Sequence, residues 1–199
     1  MPQSLATGRS PYFPPSFVRS NMGDMFISNG IDEILRWNGT TSAAQSAGIT
    51  APSTAATVAS SGSGSITGTY YAYVRFGDAD GNFSSLSPIS TVHSPASKAQ
   101  IDYSSVPVSS ETRVTLRQIF RNTNGQTDVY YLDATISDNS TTTATSTKTD
   151  AQLLTSTALP ILNADGTINA NRFTPPPDHK AYIANLHDRF WYAGDVTYN

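Results

Sequence analysis

An acidic turn is the clearest candidate for metal chemistry in this sequence. Asp78, Asp80 and Asn82 alternate around Gly81, and oxygen ligands at alternating positions suit a hard cation such as Ca²⁺. The EF-hand loop needs glycine at its sixth position and glutamate at its twelfth, whereas glycine here is fourth and Ile89 is twelfth. The residues therefore favour a tight hairpin turn over a metal site, because such turns also select Asp and Gly.

Catalytic chemistry has little support in the residue pattern. The histidines are His93, His179 and His187, and none lies four residues from another metal ligand as on a zinc-binding helix. His187 is followed by Asp188, but adjacent residues of a strand face opposite sides. No G-x-S-x-G nucleophile motif is present. We therefore predict no catalytic residue, no cofactor and no metal ligand, while the paired carboxylates of a glycosidase stay open because they need no recognisable motif.

Two further groups of residues have both a chemical and a structural interpretation. Residues 61–65 read SGSGS, which lacks the Lys-Ser/Thr ending of a phosphate-binding loop and predicts a flexible linker. Tyr71 and Tyr73 on an exposed strand face, with Trp37 and Trp191, could stack on sugar rings. Tyrosine and tryptophan are equally enriched in subunit interfaces, and we favour an interface or core role for these four side chains.

The composition excludes several functional classes. The 199 residues are 38% hydrophobic and 10% aromatic, which is enough for a modest core and argues against disorder throughout. The net charge of −3 and the lack of a Lys/Arg cluster argue against phosphate-neutralising nucleic-acid binding. Cysteine is absent, which excludes disulfides. No apolar run reaches the length of a signal peptide or a membrane span, so no membrane partner is predicted.

An all-β fold is predicted mainly by residues 70–90, YYAYVRFGDADGNFSSLSPIS. Alternation places Tyr70, Ala72, Val74 and Phe76 on one face and Tyr71, Tyr73 and Arg75 on the other, as in a sheet with one buried side. Asp80-Gly81 then turns the chain into a second strand over residues 84–92.

The sequence before this hairpin divides into two segments. Residues 1–20 are rich in proline, which blocks helix and central strand and predicts an extended arm of the kind that orders against a neighbour. Residues 21–50 predict a hairpin and linker, with strands at 25–28 and 33–37 and turns at Asn29-Gly30 and Asn38-Gly39.

Residues 51–162 predict an immunoglobulin-like or fibronectin type III-like β-sandwich of typical length. Besides the Tyr-rich hairpin and a weak strand at 54–59, strands are predicted at 98–103, 114–121 and 129–136, with a turn at Asn124-Gly125. Residues 140–149 predict an exposed loop or edge strand, and residues 150–154 a short helical turn.

The remaining sequence predicts a Pro-rich linker at 163–178 and a terminal hairpin at 179–199, with strands at 181–186 and 189–193. The spacing Asp-x-Phe-x-x-x-Gly begins at Asp24 and again at Asp188, which is typical of repeated hairpins such as propeller blades. Because the last hairpin has little sequence after it, we expect that the chain is a fragment or that another subunit completes the sheet.

The chain resembles tailed-bacteriophage virion proteins from the tail or the neck that joins head to tail. Four segments carry the resemblance: SNGIDEILRWNGTT, GTYYAYVRFGDADGNFSSLSPIS, VTLRQIFRNTNGQTDVYYLDATISDNSTTT, and PPP followed by YIANLHDRFWYAG. The family order is a short hairpin, a fibronectin III-like domain and a Pro-rich return into propeller-like repeats. Relatives usually continue for several more blades, which this chain does not.

The resemblance implies a non-enzymatic structural protein of a virion that assembles in the host bacterial cytoplasm. Its implied partners are other virion proteins and copies of itself in a ring. Seven aromatic residues are predicted to make the subunit contacts: Tyr12, Phe13, Phe17, Trp37, Phe190, Trp191 and Tyr192.

Two other functional classes remain open at this point. A host-surface adhesin or carbohydrate-binding module predicts exposed aromatics on one sandwich face, with Tyr71 and Tyr73 binding a glycan. A depolymerase predicts two close carboxylates in a groove.

Overall fold

The computed structural model describes residues 4–11, 14–21, 23–159, 180–186 and 189–195. Apart from one four-residue helix, every regular element in these residues is a β-strand, so the all-β prediction is confirmed. The chain forms two compact units, one of Met1–Ala47 with Pro175–Asn199 and the other of Gly48–Thr174. The predicted linker at 163–178 lies outside the described residues.

The first unit contains an antiparallel sheet in the order β1-β2-β3-β4. Its strands are β1 (Ser16–Arg19), β2 (Met25–Ser28), β3 (Leu35–Trp37) and β4 (Gln45–Ser46). The predicted hairpin is confirmed, although its loop is longer than a two-residue turn. The Asn29 side-chain oxygen accepts bonds from the backbone N–H groups of Ile31 (3.2 Å) and Asp32 (2.9 Å). Such local bonds are why asparagine favours turns.

The N-terminal arm is partly folded onto its own unit. Residues 16–19 form β1 and pair with β2, and the N–H of Ala44 donates to the carbonyl of Leu5 at 2.8 Å. Ser16–Arg19 is the first strand in the sheet order, a position that the preceding prolines do not block. Proline removes a ladder bond only at its own position, and β1 begins directly after Pro15.

The second unit contains two antiparallel sheets. Its elements are β5 (Thr57–Ile66), β6 (Ala72–Asp78), β7 (Lys98–Ser104), β8 (Val114–Arg121), β9 (Tyr130–Ile136), β10 (Ala144–Ser146), α1 (Asp150–Leu153) and β11 (Ala158–Leu159). The strand orders are β10-β7-β5 and β11-β9-β8-β6. Side chains of both sheets share one buried apolar cluster, which includes Val58 and Ile101 from one sheet and Val74 and Ile119 from the other.

Most predicted elements of this unit are confirmed. Strands occur at 98–104, 114–121 and 130–136, and an edge strand, β10, lies within residues 140–149. The predicted helical turn is α1, whose N-terminus has a capping box between Thr149 and Gln152. Gly125 has a φ of +73°, as the predicted Asn-Gly turn requires.

The glycine-rich segment at 61–65 is not a flexible linker, because it forms part of β5 and runs beside β7. The reason for its glycines is close approach rather than flexibility. A Cβ on Gly64 would lie 2.7 Å from the Cα of Ala99, and one on Gly62 would lie 2.8 Å from the Cβ of Ala99. Only glycine allows the two backbones to come this close.

Residues 84–92 do not form the predicted second strand of the hairpin. Three serines instead bind β6 with both backbone and side chain, and we call them the serine ladder: Ser84, Ser87 and Ser90. Their N–H groups donate to the carbonyls of Phe76, Val74 and Ala72 at 2.8–2.9 Å. Their hydroxyls accept bonds of 2.9 Å from the N–H groups of the same three residues. Serines spaced three residues apart thus bind the backbone N–H and C=O groups of every second residue of β6, and they cover the free edge of this strand.

Strand β6 is buried on both faces, whereas the alternation predicted one buried side. Tyr70, Ala72 and Val74 belong to the cluster shared by the two sheets. Tyr73 belongs to a second cluster on the other side, with Leu86 and Phe120 among its members. The serine ladder helps to create this second cluster, because Leu86 lies between two of its serines.

The last two strands return to the first unit. They are β12 (Lys180–Leu186) and β13 (Arg189–Asp195), and they form the predicted antiparallel hairpin. The side chains described in this hairpin are those of residues 182–185, 191 and 193. The Asn185 amide donates to the carbonyl of Arg19 at 3.1 Å, so β12 lies beside the end of β1.

We predict that Ser87→Ala lowers the free energy of unfolding by about 1–3 kcal/mol, because it leaves the buried N–H of Val74 without its acceptor. Chemical denaturation measures this change. Ser94→Ala is the matched control, since Ser94 is exposed, and it should change stability by less than about 0.5 kcal/mol. Equal effects of the two substitutions would contradict the role assigned to the ladder.

Candidate functional site

An open cavity of about 350 Å³ lies within the first unit. Phe17, Ile27 and Leu35 occupy neighbouring register positions across β1, β2 and β3 and line it. Residues before β1 supply further walls, among them the apolar residues Leu5, Ala6 and Pro15. The cavity is therefore built where the N-terminal segment crosses one face of the sheet, and its lining is mainly apolar.

The polar lining of this cavity contains one cation and one anion. The Arg9 guanidinium lies 3.8 Å from the Glu33 carboxylate, and the Glu33 side chain is 52% exposed. Asn29 also lines the cavity. Its side-chain amide is already hydrogen-bonded within its own loop, because it donates to Asp32 at 2.7 Å. A partially exposed, loosely spaced ion pair of this kind contributes little stability by itself.

Two aromatic side chains are exposed on one face of the hairpin of β12 and β13. Tyr182 is 67% exposed and Trp191 is 59% exposed, whereas Ile183 on the other face is buried. Tyr182 pairs with Ala193, and Trp191 pairs with Ala184. Each large ring therefore stands opposite a small side chain on the same face of the hairpin.

The predicted contact residues have different environments. Phe17 is 55% exposed and lines the cavity, and Trp191 is exposed on the hairpin. Trp37 is half-buried, and its indole N–H donates to the carbonyl of Thr41 at 2.8 Å. Tyr12 and Phe13 lie outside the described residues, as do the side chains of Phe190 and Tyr192 in β13.

The predicted pair of exposed tyrosines is not found. Tyr73 is only 8% exposed, and its ring makes an edge contact of 4.8 Å between centroids with Tyr130. Tyr71 is half-buried and packs against the same cluster. The expectation that Tyr73 is exposed is wrong, because alternation distinguishes the two faces of a strand but does not show whether a second layer covers the outer one.

The acidic loop after β6 is a turn, as predicted. Asp78 is buried, and its Oδ1 accepts bonds from the N–H groups of Asp80 (3.0 Å) and Asn82 (2.9 Å). Both of its carboxylate oxygens also accept from the Asn82 amide. The carboxylate thus binds the loop itself. In the described part of the chain, no group of three or more His, Cys, Asp or Glu side chains is placed to hold a metal ion.

The histidines do not form a cluster with acids that would support catalysis in the described residues. His93 lies with its Nε2 2.9 Å from the Ser60 hydroxyl. Burial lowers the pKa of His93, and the charge of Asp102 partly opposes this shift. His179 and His187 are outside the described residues.

A buried polar cluster in the second unit was not predicted from the sequence. The Arg121 and Asp133 side chains are both 0% exposed, and Arg121 Nε lies 2.9 Å from Asp133 Oδ2. The hydroxyls of Tyr103 and Ser146 also donate to this carboxylate. Arg121 Nη2 donates to the carbonyl of Lys148 at 2.9 Å. The cluster thus joins β7, β8, β9 and β10 across the two sheets.

A bulge in β9 explains how Asp133 reaches this position. Ile119 pairs with Ala134 and Phe120 pairs with Leu132, which leaves Asp133 without a partner in the register. Such an extra residue redirects the side chains of its strand. Tyr130 and Leu132 accordingly lie in the outer cluster, whereas Ala134 and Ile136 lie in the shared core. Strict alternation would have put these four apolar side chains on one face of the strand, but the bulge divides them between two clusters.

Burial and neighbouring charges raise the pKa values of three side chains in and around this cluster. Burial opposes the charge of Arg121, but the Asp133 carboxylate beside it raises the Arg121 pKa overall. Burial and the nearby Asp133 charge raise the Tyr103 pKa well above its ordinary value. Burial, with a hydrogen bond to Asp150, raises the pKa of Tyr70 to about 12. All three groups are therefore held in one protonation state near neutral pH.

Perturbed pKa values are also a feature of active sites, but this cluster is enclosed between two sheets. Arg121, Tyr70 and Tyr103 are at most 1% exposed, so a substrate has no access to them in this conformation. We interpret the cluster as structural. The signal in the sequence is the presence of charged residues in two otherwise apolar strands, among them Arg121 in VTLRQIFR and Asp133 in VYYLDATI.

The comparisons with known proteins give no family. The sequence matches no family model and no curated protein. In the described residues, no helix is both long enough and apolar enough to cross a membrane.

Two tyrosine substitutions test the buried cluster. Tyr103→Phe removes a bond to the buried Asp133 carboxylate and should cost about 1–3 kcal/mol of unfolding free energy. Tyr130→Phe removes a buried hydroxyl that has no hydrogen-bond partner, so it should leave stability unchanged or raise it. Denaturant unfolding of both variants measures the difference. An equal loss in both would show that the Asp133 contact is not specific.

A second test uses alkaline pH. The folded-state pKa of Tyr70 is about 12, above its ordinary value of 10.0, so between these pH values the unfolded chain loses this proton and the folded chain keeps it. The contribution of this pKa shift to the free energy of unfolding is complete below pH 10 and is lost as the pH rises toward 12. Tyr70→Phe should make the decline of stability in this range less steep than in the wild type. Identical slopes in a pH series of thermal unfolding would contradict the assignment.

Proposed function

We propose that this chain is a non-enzymatic structural component of a bacteriophage virion, from the tail or the head–tail neck, that acts through subunit–subunit contacts. The observation that carries the proposal is the exposed apolar surface of the first unit. Phe17, Tyr182 and Trp191 are each more than half exposed there. Large exposed apolar patches on a soluble protein mark interaction sites.

The proposed architecture is a fibronectin III-like β-sandwich inserted into a body of propeller-like hairpins. Support for the sandwich comes from two antiparallel sheets that share one core. Support for the insertion comes from the division of the chain, since the first unit contains sequence from before and after the second. In this proposal the second unit decorates the assembly and the first unit builds its ring.

The main alternative is an adhesin or carbohydrate-binding module, and the described side chains favour it less. A glycan platform needs exposed aromatic rings on the sandwich. The large apolar side chains that are exposed among the described residues of the second unit are instead aliphatic: Ile89, Val92, Val108 and Leu154. Tyr73, which the alternative required at the surface, is buried.

The proposed partners are copies of the chain itself and other virion proteins, in a particle assembled in the host bacterial cytoplasm. Nucleic acid and membranes are not among them, because the sequence has a net charge of −3 and no basic cluster. Ring symmetry would give each copy the same contacts, which is how a structural protein gains stability from repetition.

Multi-angle light scattering tests this proposal. The chain of 21.3 kDa should form a particle of several subunits, either alone at high concentration or after addition of its neighbouring virion proteins. A stable monomer that ignores those proteins would contradict the proposal, and saturable binding in a glycan screen would then favour the alternative.

A further inference from the structure

The described residues of the first unit include a concave apolar surface and a convex surface with exposed aromatic rings, and we propose that the convex surface of one copy fills the concave surface of the next. The concave surface, here called the groove, is the cavity lined by Leu5, Ala6, Phe17 and Leu35. The convex surface, here called the knob, is the outer face of the β12–β13 hairpin with Trp191. This inference rests on the proposed role in subunit assembly and specifies the contact.

The groove has room for one projecting aromatic side chain. Trp191 is 59% exposed and stands opposite Ala184, so the indole ring projects beyond its neighbour. An aromatic side chain buries about 150–250 Å² when it is enclosed. The groove has a volume of about 350 Å³, which is within the range of roughly 300–1,000 Å³ that holds compact organic groups.

The two surfaces also match in chemistry. The groove has apolar walls for the ring, a carboxylate at Glu33 that can accept the indole N–H, and a guanidinium at Arg9 that can lie over the ring face. Arg9 and Glu33 are 3.8 Å apart with Glu33 half exposed, so both can reorient toward an entering side chain. The described side chains beside Trp191 on this face are those of Tyr182, Ala184 and Ala193, and none of them is charged.

The geometry of such a contact determines the type of assembly. Groove and knob are different surfaces, so their contact is heterologous, and each copy keeps a free groove at one end and a free knob at the other. Heterologous contacts close into a ring or continue as a filament. A second copy is therefore the occupant we infer, because this chain presents both halves of the contact.

The test uses one variant for each half. Trp191→Ala removes the knob and keeps the groove, whereas Ala6→Phe fills the groove and keeps the knob. Each variant alone should be monomeric by light scattering at concentrations where the wild type assembles. An equimolar mixture should form a particle of twice the chain mass of 21.3 kDa and nothing larger, because only one compatible contact exists.

Two further variants control for folding and for general loss of apolar surface. Phe17→Ala removes a groove wall that is already 55% exposed, so it should weaken assembly without unfolding the unit. Leu154→Ala removes a side chain that is 56% exposed in the second unit, and it should assemble like the wild type. Circular dichroism of every variant checks that the strands are retained.

The outcomes separate this inference from the proposed function. If the wild type assembles and the knob and groove variants assemble equally well, or if their mixture stays monomeric, the knob-in-groove contact is wrong while a structural role stands. If the wild type is monomeric alone and with its virion neighbours, both are wrong. Binding of free indole in the groove without any assembly would also overturn the inference.

Discussion

The buried charge of Arg121 is the constraint on which the second unit depends. A guanidinium that is 0% exposed needs a compensating anion and hydrogen-bond acceptors. Of its three nitrogens only Nη1 lacks a hydrogen bond, and it lies 3.7 Å from Asp150 Oδ1. Asp133 provides the anion, and it reaches Arg121 only because β9 has a bulge at that residue. The Lys148 carbonyl provides a further acceptor just before α1. One ion pair thus determines the register of β8 and β9 and the path of the chain from β10 to the helix.

Covered edges are the second organising feature of this unit. The free edge of β6 is closed by the serine ladder, while β10 and β11 at other edges have only three and two residues. Both devices limit pairing with foreign strands. Three of the four sheet edges in this unit are thus covered or short, while the fourth is β5 with its ten residues. The first unit differs, since the largest exposed side chains among its described residues are aromatic and it contains an open, mainly apolar cavity.

Local patterns predicted most strands because hydrophobic alternation and Asn-Gly turns depend only on neighbouring residues. The serine ladder could not be predicted in this way. Leu86 and Ile89 between its serines look like a strand pattern, and a serine hydroxyl takes the place of a backbone acceptor only when a specific partner lies opposite. The prediction that the glycines of β5 form a flexible linker is wrong for a similar reason. They allow close approach to Ala99, which is more than thirty residues away in sequence.

The candidate site likewise depends on contacts between residues that are distant in sequence, which local patterns do not reveal. Exposure of Phe17 and Trp191 agrees with their predicted position on a contact surface, although the contacts themselves stay a prediction. The groove was not anticipated, because it forms only when Leu5, Ile27 and Leu35 are brought together by the sheet. The prediction that Tyr73 is exposed is wrong because side chains from other segments cover the outer face of its strand. Alternation within one strand does not reveal such a covering layer.

The central claim is that the first unit carries the subunit contacts and the second unit is self-sufficient. Hydrogen–deuterium exchange, compared between the dilute chain and the assembled particle, tests it most directly. We expect assembly to slow exchange in residues 4–19 and in β12 and β13, with exchange in β7 and β8 unchanged. New protection confined to the second unit, or none in the first, would contradict it.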